Sequence, residues 1–247
     1  LYTAWKQLIV AYLLSALVSF AIGMLLVKWG HVQPERLLEA STKRLSYLHP
    51  VVDHGTRLGV DMGVLLFVWN AFGALVTISF IHSAALFNPE HLESPPRWLR
   101  NIFCGRRRMQ LLCYLPGCAK IEAEPLRRLY VWVMVPLLGI ILLGVESGLM
   151  VSTTTCMSGS FLSAVITLLP HGLIELPAFT MAGAVAYSVH LCTAGSLRAN
   201  QTDTVFRRID SHRRSLAIKR IAVGVVGALL VAGLIEAHVT PRLMQIL

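Results

Sequence analysis

The chain predicts an all-α membrane protein of about five transmembrane helices, one of them broken or re-entrant. Of its 247 residues, 55% are hydrophobic and only 14% are charged, whereas a water-soluble domain carries about 25% charged residues. Residues 8–27, 60–87, 130–151 and 221–239 are each near or above the roughly 20 apolar residues that span a bilayer. A fifth apolar region, 157–197, contains Pro170-His171-Gly172-Leu173-Ile174-Glu175-Leu176-Pro177. Too little polar sequence remains to cover an all-buried soluble helical core.

Residues 8–27 lack a small-residue cleavage site and exceed a signal-peptide core in length, so they read as a retained span. Residues 28–60 mix Glu35, Arg36, Glu39, Lys43, Arg44, Asp53 and Arg57, which suits an interfacial amphipathic helix outside the cytoplasm. The second span carries Asn70. A basic loop, 88–128, follows, with Arg97, Arg100, Arg106, Arg107, Arg108, Lys120, Arg127 and Arg128. The third span holds Gly144-Val145-Glu146-Ser147-Gly148, a GxxxG spacing that permits close helix approach. A second basic segment, 198–220, separates the motif region from the last span. The whole, 1–247, reads as one polytopic membrane domain.

The two basic segments contain most of the positive charge and belong in the cytoplasm by the positive-inside rule. An even number of crossings must separate them. Residues 130–151 supply one, so 157–197 supply one net crossing. That region is either one long, kinked helix or a re-entrant piece followed by a full span. Five crossings then put the N-terminus inside and the C-terminus outside. The net charge of +9 serves orientation and anionic lipid, and no nucleic-acid recognition pattern is visible between the spans.

Depth can be counted. At about 1.5 Å per residue, Glu146 and Glu236 lie roughly 25 and 22 Å from the cytoplasmic ends of their helices, and Glu175 roughly 33 Å if its helix is unbroken. In a hydrocarbon core of about 30 Å all three fall in the outer layer, with His171 and His238. Ionisable groups within a span are costly and mark a buried site. His171 and Glu175, at i and i+4, share a helix face. Imidazole and carboxylate suit a divalent metal, with Glu236 as a third ligand. The structural alternative has His171 and Glu175 bonding backbone groups freed by Pro170 and Pro177, with Gly172 between them. Apart from that metal, no cofactor is expected.

The loop cysteines Cys104, Cys113 and Cys118, with His91, match no common zinc spacing, and thiols are expected there rather than disulfides. No His-Glu-x-x-His pattern and no Gly-rich phosphate loop is present.

Pro170-His171-Gly172 followed by Glu175-Leu176-Pro177-Ala178, and later Glu236-Ala237-His238-Val239-Thr240-Pro241, resembles the stage II sporulation protein M family. Its members carry His-Gly-x-x-Glu-[Leu/Ile]-Pro-Ala and a late Glu-Ala-x-x-Thr-Pro. Asn70, in Trp69-Asn70-Ala71, resembles an Asn near the start of that family's second span. The resemblance runs over about residues 60–242 and implies a polytopic inner-membrane protein. In spore formers the family works in a complex with peptidoglycan-degrading partners. His238 stands where an apolar or aromatic residue is usual, and the basic, cysteine-containing loop is unlike the family.

These observations favour a non-enzymatic subunit or scaffold of a membrane complex, with the bilayer, other membrane proteins or further copies of itself as partners. The alternatives are a transporter or permease-like subunit with an ion or polar-substrate site at the broken helix, and an intramembrane metal-dependent enzyme.

Overall fold

The structure, a computed structural model, describes residues 1–42, 49–84, 87–88, 118–240 and 242–243. Cys104, Cys113, His91 and the arginines from Arg97 to Arg108 lie outside the described residues. The described residues form helices and no strand: α1 (Tyr2–Lys28), α2 (Pro34–Thr42), α3 (His49–Arg57), α4 (Met62–Ala84), α5 (Glu124–Ser158), α6 (Phe161–Arg198), α7 (Thr202–Ser215) and α8 (Ile218–His238). Helices α1, α4, α5 and α8, with Leu169–Arg198 of α6, are long and apolar enough to cross a membrane. The protein is an integral membrane protein.

Helix α6 corrects the expected break. It runs without interruption for 38 residues, through Pro170, Gly172 and Pro177. Of the two alternatives, one long helix and a re-entrant piece, the chain takes the first. A proline removes one donor and leaves the carbonyl four residues before it, that of Leu173 for Pro177, without its usual ladder partner, a local cost that a helix packed within a bundle tolerates. Here Trp5 of α1 reaches across, its Nε1 donating to the Pro177 carbonyl at 3.3 Å and to Thr180 Oγ1 at 3.0 Å. Thr180 Oγ1 in turn donates to the Leu176 carbonyl at 2.7 Å.

Helix α6 is also the axis of the bundle, packing against α1, α4, α5, α7 and α8. Half of its apolar window is buried in protein, against 22% for α1, α4 and α8, so those three line the perimeter. Ala182, Ala184, Val185 and Val189 are fully buried along it.

Small residues set the approach distances. On α1, Ser15, Ser19 and Gly23 recur every four residues and meet Gly144, Gly148 and Ser152 of α5. A Cβ on Gly148 would lie 2.2 Å from the Ala16 carbonyl oxygen, closer than any side chain allows. Ser19 Oγ donates across the seam to the Gly144 carbonyl at 3.4 Å. This is the small-xxx-small packing that replaces the hydrophobic drive between helices in lipid. Gly63 of α4 and Gly233 of α8 make a second close crossing, where a Cβ on Gly233 would lie 2.9 Å from the Gly63 carbonyl oxygen.

The connections follow local chemistry. Gly159 ends α5 in the left-handed region at φ 70°, and Ser160 caps α6 by accepting from the Ser163 N–H at 3.2 Å, as the preferences for these positions require. Asn200, at φ 52°, turns the chain after α6 and ties it to the segment ahead of α5, its Oδ1 accepting from the Glu122 N–H at 2.9 Å. Within residues 28–60, the described residues include the helices α2 and α3. Pro34 opens α2 at a position where its missing N–H costs nothing, and α2 packs on α5 while α3 packs on α4.

Helix α7 folds back on α6 through buried Val205, Phe206 and Ile209, and Ser188 Oγ lies 2.8 Å from His212 Nε2. Burial holds the His212 imidazole below its ordinary 6.5, because the charged form loses solvation.

Two glycines should therefore respond oppositely to the same change. Gly148→Ala should cost about 1–3 kcal/mol through the forced α1–α5 separation. Among the described residues nothing lies within 4 Å of a Cβ on Gly172, so Gly172→Ala should stabilise by up to about 1 kcal/mol by removing a flexible helix position. Unfolding in detergent micelles checks both. As pH falls through 6.5, the unfolded chain protonates His212 before the folded one does. Stability should decline from there down to the lower folded pKa and then level off. His212→Gln should flatten that slope in thermal scans across pH 5–7.

Candidate functional site: a polar cluster between three spans

Helix α6 places His171 and Glu175 one turn apart on the face that meets α4 and α8. The Gly63–Gly233 crossing holds α8 against α4, with Glu236 three residues beyond Gly233 and Asn70 seven beyond Gly63. His171, Glu175 and Glu236 each offer one ligand-capable atom, and the three atoms lie within 4.8 Å of one another. Asn70 joins them, its Nδ2 donating to Glu175 Oε1 at 2.5 Å. All four side chains are half-buried. His171 Nδ1 is buried and has no hydrogen-bond partner among the described residues. Tyr12 of α1, paired with Ser147 of α5, lies within electrostatic range of Glu175.

Chemically, one imidazole, two carboxyl groups and an amide donor make a compact set able to share a proton, bind a cation or tie helices together. Glu175 accepts from the Asn70 side chain of α4, while the Pro177 and Leu176 carbonyls accept from Trp5 and Thr180.

Two residues at the same depth stand apart. His238 lies two positions after Glu236, about 200° around the helix, and turns outward. Its Nε2 lies 3.3 Å from Asp61 Oδ2, with both side chains exposed. Glu146 lies on α5, next to the seam with α1, and outside the 4.8 Å set. Cys118 is buried just ahead of α5. A separate cavity of about 730 Å³ at the opposite, basic end is lined by His82, Arg213, Arg214, Lys219 and Arg220, among others.

Sequence reasoning missed Asp61 and Trp5. Asp61 had a signal: an acid just before an apolar run is a helix N-cap, and its Oδ1 accepts from the Gly63 N–H at 2.8 Å. Trp5 had none, since its role depends on α1 lying across a proline 172 residues away.

Residues 62–241 match the family described as stage II sporulation protein M. The chain belongs to that family. The matched range takes in α4, α5, α6 and α8, and with them Asn70, His171, Glu175 and Glu236. Helix α1, which supplies Trp5 and Tyr12, precedes it. No curated protein and no solved structure matches the chain.

An exposed His–Asp pair contributes little. His238→Ala should change the unfolding free energy in micelles by no more than about 0.5 kcal/mol.

Proposed function

We propose that this member of the stage II sporulation protein M family is a non-enzymatic subunit or scaffold of a complex in a prokaryotic cytoplasmic membrane. In this reading the Asn70–His171–Glu175–Glu236 cluster fastens α4, α6 and α8. The observation that carries it is the 2.5 Å bond from Asn70 to Glu175, made between spans by two groups that hydrocarbon would otherwise leave unsatisfied.

Other features agree. The large apolar faces of α1, α4 and α8 remain on the perimeter, available to lipid or to membrane partners. The continuity of α6 through both prolines counts against a carrier built on a discontinuous helix. The basic segments around Arg127 and Arg207 orient the bundle with its N-terminus inside and its C-terminus outside, so the cluster faces the outer layer.

Asn70→Ala should lower stability in micelles by about 1–2 kcal/mol, the range for a polar contact between membrane helices. Purified protein in liposomes should pass ions no faster than empty vesicles. Flux that disappears in Glu175→Gln would overturn the reading in favour of transport.

A further inference from the structure

We infer that His171, Glu175 and Glu236 form a binding site for one divalent first-row transition-metal ion of the zinc class, with Asn70 as the positioning residue for Glu175. The inference rests on the fastening role proposed for the same cluster and names what completes it.

Geometry comes first. Three ligand-capable atoms already lie within 4.8 Å of one another. Zinc–ligand bonds of about 2.0–2.2 Å place neighbouring ligands of a tetrahedral site about 3.3–3.6 Å apart. Small side-chain rotations close that gap, because the helices carrying the ligands are already held together by the Gly63–Gly233 crossing. His171 and Glu175, one turn apart on a single helix, need no backbone movement to act together. The fourth position is open to water or to another ligand.

The donor set selects the ion. One imidazole nitrogen and two carboxylate oxygens suit zinc, manganese or iron(II). The imidazole disfavours calcium and magnesium, and the lack of sulfur disfavours copper(I). Charge selects it as well. Two ionised carboxylates so close together repel, and a dication cancels both charges to leave a neutral unit suited to surroundings of low dielectric constant.

Two observations beyond the acids point the same way. His171 Nδ1 is a buried acceptor or donor with no partner among the described residues, although such groups are nearly always satisfied. Glu175 already has an amide donor in Asn70, an outer contact of the kind that orients a metal-bound carboxylate.

The test uses the full chain, purified in micelles without chelator, with Zn²⁺ and Mn²⁺ as probes. Elemental analysis and titration calorimetry should find one ion per chain. A hundredfold excess over Kd should raise Tm by about 5–10 °C. Glu236→Gln and His171→Asn, checked for folding by size exclusion and circular dichroism, should weaken binding at least about tenfold, a loss of about 1.4 kcal/mol. Should His171→Asn fail to fold, Glu236→Gln decides. Co²⁺ adds a spectroscopic readout: wild type should develop the visible absorption of a tetrahedral nitrogen–oxygen site, and Glu236→Gln should not. Wild type that binds no ion, or binding undiminished in both variants, overturns the site. If wild type binds no ion while Asn70→Ala still destabilises, the metal is excluded and the fastening of the helices stands.

Discussion

A polar group inside hydrocarbon has no water to turn to, so it must find its partner within the protein. That constraint organises this molecule. Glu175 occurs on the most enclosed helix, and its carboxylate meets an amide from α4 and lies beside a second acid from α8. Neither neighbour is near it in sequence. Each contact requires a particular rotation of α4 and α8 about their own axes, so the cluster specifies how three spans are set against one another.

Small residues make that arrangement possible. Apolar packing alone would not distinguish one rotation of a leucine-rich helix from another in a solvent as apolar as leucine. Gly63, Gly233, Gly144, Gly148 and Gly23 break the tie, because the lack of a Cβ on those faces lets the facing helix come within contact distance. Ser19 on α1 adds a hydrogen bond across the seam to the Gly144 carbonyl. Close approach at the glycines and polar pairing at Glu175 are two halves of one solution. The first brings the helices near enough for the second to form.

The prolines illustrate how context overrides local preference. In isolation, Pro170 and Pro177 within eight residues argue for a break in the helix. In the bundle the helix carries on through both prolines to Arg198, and Trp5 packs across it from α1 with its Nε1 on the Pro177 carbonyl. The energetic penalty of each proline is local, while the packing along α6 extends over its whole length.

Much was readable without coordinates, because it depends on short-range periodicity. Apolar runs mark the spans. The i, i+4 spacing puts His171 and Glu175 on one face, and counting the rise per residue puts Glu236 at the same depth. Depth, however, says nothing about azimuth. His238 shares the layer of Glu236 yet pairs outward with Asp61, and Glu146 shares it yet lies outside the set. Height along a helix is a property of the chain. Direction around it belongs to the assembled bundle, since what turns a side chain inward is the neighbour waiting there, and that neighbour is brought in from another helix.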